Sequence, residues 1–410
     1  MEKQEFLPII LGSDENAYGM ARAFHEKYGI KPTLMCKLVY PATKYSKILD
    51  IVKIDDLDRE DIFLENIQKI AEEKLKIYEK LILVPCSDYY SEYASKHATI
   101  IEKYFCNNFV PYELLQKFGT KQKFYQICEE LGLPYPKTVT CQKENRLDIL
   151  DRLPFDFPVM IKPDNSNSYE YLHSEFKGKK KVFFVWSKEE YIEIITQMNK
   201  SGYEGDLIIQ DYIPGDDTIA RTLNCYSDNS GKVRMMCLGQ AVIEAYAPLE
   251  LGNYAALLTD YNEEIFSKIK KFLEDMGYVG FCNFDMKFDK KSGEYKFLDI
   301  NPRQGRSSFF VSSAGYNLAE VLVDFCVYEK ESDIVYANSD WLWLSVPKGI
   351  IYKYVENPEV LARAKRLIKE KKYAYTLLYK KDFSLKRFLY IKRYYSKRTK
   401  EYKKYFFKKT

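Results

Sequence analysis

Two neighbouring stretches constrain this chain more than any other feature. In Gly280-Phe281-Cys282-Asn283-Phe284-Asp285-Met286-Lys287-Phe288 and Glu294-Tyr295-Lys296-Phe297-Leu298-Asp299-Ile300-Asn301, apolar residues surround a carboxylate in each. The intervening Asp289-Lys290-Lys291-Ser292-Gly293 is a turn signal, so the two stretches predict an antiparallel hairpin. Side chains repeat every two residues along a strand, which puts Asp285, Asp299 and Asn301 on one face when the register aligns. Such an oxygen cluster suits Mg2+, which takes hard oxygen ligands and fills its remaining positions with water and phosphate oxygens. Arg303, two residues beyond, would reach a transferred phosphoryl group with a bidentate, charge-assisted fork. Taken alone, Asp-x-Asn-x-Arg is a weak pattern that strand-end capping satisfies equally well.

The rest of the chain gives the hairpin a context. A buried-strand pattern at 6–11, a turn at Gly12-Ser13-Asp14 and a helical pattern over 18–28 open the sequence. A second apolar run at 80–84 follows a helical stretch over 62–79 and ends in Pro85-Cys86-Ser87-Asp88. Alternating strands and helices predict a parallel sheet, whose ligands sit at the carboxyl ends of strands, here beside Ser13, Asp14, Ser87 and Asp88. The same residues also read as plain turn and cap residues. Near Phe118 the texture changes to a helix over 121–131, closed by Gly132-Leu133-Pro134-Tyr135-Pro136. Strands are then predicted at 157–161, 182–185, 207–213, 233–238, 281–288 and 295–300, with helices at 188–199 and 263–276. That is an α+β texture following an α/β start, with no internal repeat.

Composition excludes several classes of function. The longest apolar runs fall well short of the about 20 residues that a spanning helix needs. Nine cysteines stand singly, without a C-x-x-C pair, and three histidines are scattered, so neither a zinc site nor a disulfide framework is indicated. A reducing, cytoplasmic setting is expected. The net charge of +4 is unevenly placed: residues 386–410 carry eleven Lys or Arg against one Glu, a net +10, which leaves −6 for the remainder. With the charge confined to a tail, nucleic-acid binding is not expected. The tail interleaves Phe388, Tyr390, Tyr394, Tyr395, Tyr402, Tyr405, Phe406 and Phe407 among its cations. Such a segment suits either peripheral contact with an anionic membrane or a helix that packs its rings on the body and solvates its lysines.

Phe284-Asp285-Met286 followed by Phe297-Leu298-Asp299-Ile300-Asn301-Pro302-Arg303 resembles the paired metal-binding strands of the ATP-grasp superfamily. Lys121, with Gly132-Leu133-Pro134 after it, resembles the first phosphate-binding lysine of that superfamily. Lys162, in Phe157-Pro158-Val159-Met160-Ile161-Lys162-Pro163, resembles the second. The stretch Gln210-Asp211-Tyr212-Ile213-Pro214-Gly215-Asp216-Asp217 resembles the adenine hinge, in which backbone groups of Asp211 to Ile213 read the base and a later acid, Asp217 or Asp216, holds the ribose. The chain departs from the family pattern twice. The phosphate-covering stretch is Asp164-Asn165-Ser166-Asn167-Ser168-Tyr169, polar instead of glycine-rich, with Gly178 and Lys179-Lys180-Lys181 following, and the hinge begins with Gln210 where an acid is common.

Within the superfamily the chain is similar over nearly its whole length to the D-aspartate ligases of Gram-positive bacteria. The segments that carry this are Pro8-Ile9-Ile10-Leu11-Gly12-Ser13-Asp14, Tyr45-Ser46-Lys47, Leu133-Pro134-Tyr135-Pro136-Lys137-Thr138, Val233-Arg234-Met235-Met236-Cys237-Leu238-Gly239 and Arg303-Gln304-Gly305-Arg306-Ser307-Ser308-Phe309-Phe310. The resemblance implies a Rossmann-like pre-ATP-grasp domain over 1–117. It implies an ATP-grasp domain of two α+β subdomains over 118–332, with nucleotide between them, and a C-terminal region over 333–410 bearing the basic helical extension. ATP and Mg2+ are the implied cofactors. The implied reaction activates the β-carboxyl of D-aspartate as an acyl phosphate and joins it to the lysine amine of a peptidoglycan-precursor stem peptide. Arg306, beside Ser307 and Ser308, is expected to hold a substrate carboxylate, the alternative being a pair with a structural acid. Arg221 and Arg234 are further candidates for triphosphate or substrate. The three histidines read as structural and the three tryptophans as packing anchors. Two other functions stay open: a ligase for another amino acid or dipeptide, and a surface-associated binding protein with a degenerate nucleotide site.

Overall fold

Six consecutive buried residues from Phe6 to Leu11 leave the first strand no polar face, the pattern of a strand covered on both sides. In the computed structural model, which describes residues 3–107, 109–164 and 169–409 with the side chains of Tyr169 and Leu172 excepted, this strand sits inside a parallel sheet. The sheet contains β1 (Gln4–Leu11), β2 (Thr33–Cys36), β3 (Asp50–Lys53) and β4 (Tyr78–Pro85) in the order β3-β2-β1-β4. Alternation divides β1 between two cores. Ile10 packs with Ala17, Ala21 and Phe24 of the helix Glu15–Tyr28, while Leu7, Ile9 and Leu11 pack with Phe63, Ile67 and Ile70 of the helix Glu60–Lys74. Asp14 caps the first helix, accepting from the Ala17 amide at 3.0 Å, and Gly29 ends it in the left-handed conformation.

A second, antiparallel sheet holds β5 (Thr138–Cys141), β6 (Val159–Pro163), β7 (Phe183–Val185) and β8 (Leu207–Asp211) in the order β5-β8-β6-β7. It has its own core, because Tyr191, Ile195 and Met198 recur on one side of the helix Lys188–Lys200 and meet Val159, Ile161 and Ile209. Of the predicted phosphate-covering stretch, Asn165, Ser166, Asn167 and Ser168 lie outside the described residues.

The largest sheet contains β9 (Ala220–Ser227), β10 (Val233–Glu244), β11 (Tyr254–Asp260), β12 (Gly280–Asp289), β13 (Glu294–Asn301), β14 (Val335–Ala337), β15 (Leu342–Leu344) and β16 (Tyr373–Tyr375). Its order is β13-β12-β9-β10-β11-β15-β16, with β14 also on β10. Phe284, Met286, Phe297 and Ile300 of the hairpin share one core with Phe124, Ile127 and Cys128 of the helix Lys121–Glu130. The helix that begins at Lys121 is thereby fastened to the strands that carry the acids. Strand β9 escaped the sequence reading because Thr222, Asn224 and Ser227 are polar yet buried, which erases the apolar signature of a central strand.

The sheet runs straight across residue 332. Pairing of β14 with β10, and of β15 with β11 and β16, builds 335–375 into the same body, so only the helix Leu385–Tyr405 and its flanks form an extension. That helix is packed on the body along one side, through Arg387, Ile391, Tyr395, Arg398 and Tyr402. Its buried Arg387 pairs with the buried Asp382 at 2.8 Å. Among the described residues no helix is long and apolar enough to cross a membrane.

Candidate active site

The hairpin register brings the predicted acids together. Asp285 stands opposite Asp299 and Asn283 opposite Asn301, and a bulge between Asp285 and Met286 absorbs the extra residue on the partner strand. The Asn301 amide donates to Asn283 Oδ1 at 3.2 Å and to Asp285 Oδ2 at 3.4 Å, and the Tyr254 hydroxyl donates to Asp285 Oδ1 at 3.0 Å. Asn283 was not foreseen as a member of this face, although the alternation that placed Asp285 also places it. Burial, and then the charge of Asp299, push the Asp285 carboxyl up to about 6. Lys121 answers part of that charge, its Nζ lying 3.2 Å from Asp299 Oδ2. Among the described residues no three His, Cys, Asp or Glu side chains form a closed metal cage. Two carboxylates and an amide opening on a cleft fit Mg2+, which keeps room for water and phosphate oxygens.

The cleft, about 390 Å3, lies between the small antiparallel sheet and the large one. Met160, Lys162, Val182 and Phe184 line it from one side, and Glu244, Asp285, Lys287, Leu298, Asp299 and Asn301 from the other. Lys162, Lys181 and Lys287 all face it, and among the described residues none has an ion-pair partner. Burial, followed by the charge of Lys121, brings the Lys162 ammonium down to about 7. Burial likewise lowers Lys181 and Lys287. Three desolvated ammonium groups, with carboxylates nearby but no direct ion pair among the described residues, form a receptor for a polyanion. Lys287 escaped the sequence reading, because a lysine alternating with apolar residues reads as a strand's solvated side.

The hinge residues behave differently from one another. Gln210 is buried, and its amide donates to the Tyr125 hydroxyl at 2.8 Å and Thr138 Oγ1 at 2.9 Å, so its side chain braces the sheet. Past Asp211 the chain leaves the ladder, which puts the backbone of Tyr212 and Ile213 outside strand pairing. The Tyr212 ring meets Phe184 and Trp186, both with centroids at 5.9 Å, and Trp186 is 47% exposed, unlike the packing anchor expected of it. Asp217 is buried and engaged by protein groups: Lys409 Nζ at 2.7 Å, the Tyr246 hydroxyl at 3.1 and 3.0 Å, and the Glu244 amide at 2.8 Å.

The N-terminal sheet supplies the far wall. Asn16 donates to the Gln304 carbonyl at 3.0 Å and accepts from Ser308 Oγ at 3.3 Å, while the Gln304 amide donates to the Pro85 carbonyl at 3.1 Å. These bonds hold the turn after β13 against the ends of β1 and β4. Gly305 packs closely there, since a Cβ would come within 3.2 Å of the Asn283 side-chain amide, which would have to shift. Arg303 pairs with Asp88 at 2.6 Å, which gives that strand-end acid a role beyond the start of a helix. Arg306 lies 3.9 Å from Glu15 and 4.0 Å from Glu250, too far for direct hydrogen bonds. Arg221 and Arg234 do not line the cleft: they pair with Asp260, at the end of β11, at 2.6 Å and with Asp228, in the turn after β9, at 2.5 Å. His25 and His97 contact Tyr379 and Glu60 and stand outside the cleft.

Residues 223–329, which run from within β9 through β13, match the ATP-binding domain of the carbamoyl-phosphate synthase L chain. The D-aspartate ligase of Enterococcus faecium (strain Aus0004) is 42% identical to this chain over 414 residues, covering 99% of the chain and 98% of that protein. The chain belongs to the D-aspartate ligase family. It is an ATP-grasp carboxylate–amine ligase that uses ATP and Mg2+. Solved structures with this ligase's fold include the L-amino acid ligase of Bacillus licheniformis, with a TM-score of 0.54 and 13% identity, covering 80% of this chain and 75% of that one. The biotin carboxylase domain of Hydrogenobacter thermophilus 2-oxoglutarate carboxylase, solved with Mg-ADP, gives a TM-score of 0.58 at 16% identity, covering 83% and 74%.

Proposed function

We propose that this ligase phosphorylates the β-carboxylate of D-aspartate and transfers the acyl group to the side-chain amine of lysine in a peptidoglycan-precursor stem peptide, releasing ADP and phosphate. The observation that carries the proposal is the in-register Asp285–Asp299 pair with Asn301, opening on a cleft faced by three lysines that lack ion-pair partners among the described residues. Asp285, Asp299 and Asn301 would hold Mg2+, which supplies charge neutralisation to phosphate oxygens. Lys121 and Lys162 bind the phosphates. Lys162 is half-titrated near neutral pH and gains full charge once an anion lies beside it. The backbone of Asp211 to Ile213 reads the base, with the side chains of Met160, Phe184 and Leu298 offering it apolar walls.

Arg303, steadied by Asp88, points its guanidinium at the transferring phosphoryl group, and Arg306 takes a carboxylate of the amino acid. In the second step the amine nitrogen bonds to the acyl carbon, the carbon–oxygen bond to phosphate breaks, and the amine proton must leave. A carboxylate of the cleft wall or the departing phosphate accepts that proton. An ADP-release assay over D- and L-amino acids, with a lysine-containing precursor as acceptor, tests the reading. Release that requires D-aspartate and the precursor is expected. Turnover with a different amino acid would move the ligase to another specificity.

The tail adds a place of work, the cytoplasmic face of an anionic membrane. Phe383, Leu385, Phe388 and Leu389 are exposed at the start of the last helix, followed on the same outer side by Lys392, Arg393 and Lys397. No acid occurs between Asp382 and Glu401. Apolar side chains beside lysines fit insertion among anionic headgroups. Co-sedimentation with phosphatidylglycerol vesicles, absent with pure phosphatidylcholine and weakened by Leu385→Ser with Leu389→Ser, is expected. Equal partitioning to both lipids would refute it.

A further inference from the structure

The acid-lined end of the cleft is completed from a distance. Glu244, the last residue of β10, lines the cleft, and both it and Asp217 are buried, at 3% and 6% exposure. Two carboxylates in such a place require a counter-charge. Lys409 provides it, its buried Nζ contacting Glu244 Oε2 and lying 2.7 Å from Asp217 Oδ1. Burial works against the Lys409 charge, and the two carboxylates outweigh it. Phe406 and Phe407 anchor the approach on Tyr246, with centroids at 4.8 and 5.3 Å, and Phe407 also meets the cleft residue Phe184 at 5.5 Å.

The chemistry of the two ends of the cleft differs accordingly. Lys121 and Lys162 lie beside Asp299, whereas Glu244, although Lys181 and Lys287 also act on its charge, offers an acceptor that suits the vicinal hydroxyl donors of a sugar. Asp217, the acid expected from the sequence to hold the ribose, has both oxygens bonded to protein donors. We infer that Lys409 is a positioning residue of the nucleotide site, fixing Glu244 as the ribose acceptor while Asp217 supports the ammonium from behind. The inference rests on the reading that nucleotide occupies this cleft. Without the ammonium, two adjacent carboxylates repel each other, one must turn away or take a proton, and the acceptor is no longer held in place.

The test uses the full chain with Lys409→Met, Lys409→Arg and Glu244→Gln. Lys409→Met should raise the KM for ATP and the Kd for ADP by about tenfold or more, the effect of losing one hydrogen bond to a charged group. The KM for the amino acid and kcat should change by less than about threefold, and Lys409→Arg should recover most of the nucleotide affinity. Should Lys409→Met melt early, the double variant Lys409→Met with Glu244→Gln removes one charge of each sign. It should bind ADP no more weakly than Glu244→Gln alone. An unchanged KM for ATP in Lys409→Met overturns the assignment, and a lowered one overturns it in favour of a tail that obstructs the site. Failure of the wild-type chain to bind ADP at all would overturn the nucleotide reading together with it.

Discussion

Replacing Asp285 by Asn should abolish turnover and, at the same time, stabilise the fold. The carboxyl is raised from an ordinary 3.8 to about 6 by burial and by the opposing Asp299, a shift of about two units at about 1.36 kcal/mol each, or ~3 kcal/mol. The sign follows from which form the fold disfavours. An unfolded chain ionises Asp285 near pH 4, the folded one only near 6, so a penalty accumulates across that interval and is complete above it. Asparagine removes the penalty and retains an oxygen for the Tyr254 hydroxyl, giving up the long 3.4 Å bond from the Asn301 amide. Because Asp285 is only half-buried on the cleft wall, water screens part of the charge, and we expect a gain of about 1–2 kcal/mol at pH 7.5. Urea denaturation at pH 7.5 and pH 4.5 in the absence of divalent cation measures it. The gain should shrink at the lower pH, and Mg2+ with ADP should stabilise the wild type while leaving the variant almost unmoved. A variant less stable than wild type at pH 7.5, or a gain independent of pH, would refute the like-charge account.

Asp299→Asn should leave a folded protein without measurable ADP release, since metal charge is lost and packing is kept; wild-type turnover would contradict the metal site. ADP binding at pH 8 should take up about one proton, and less at pH 6, because Lys162 starts near 7 and ends charged; calorimetry in buffers of different ionisation enthalpy reads this directly. Lys162→Gln should abolish most of that uptake. Arg306→Lys should raise the KM for the amino acid by about tenfold with little change for ATP, as the bidentate fork is lost. Asp382→Ala should destabilise by about 3–5 kcal/mol, leaving Arg387 buried with carbonyl acceptors but no counter-charge partner, and a melting scan showing no shift would contradict the pairing.

Local pattern carried the hairpin, because its alternation and five-residue turn need nothing from elsewhere in the chain. Lys121 and Lys162 stand out through motif order, and the structure adds that both line the cleft. What the sequence withheld was long-range pairing. Nothing local ties Asp88 to Arg303, Asn16 to Gln304 or Lys409 to Asp217, because each contact arises where separate sheets close on one another. The shortest strands of the large sheet were missed for a related reason: three-residue β14, β15 and β16 have too short a pattern to register, and neighbours in the sheet induce them. Arg221 and Arg234 look like ligands in sequence until their acids, Asp260 and Asp228, come alongside.

The last helix bears on how the enzyme is made. Arg387, Arg398 and Lys409 each neutralise carboxylates fixed elsewhere, at Asp382, Glu250 and the pair Asp217 and Glu244. Every one of those acids is synthesised before the cation that answers it. A nascent chain released as far as residue 384 has all three sheets available yet holds unbalanced charge in its nucleotide wall. Translation must pass residue 409 before the charge of that wall is balanced.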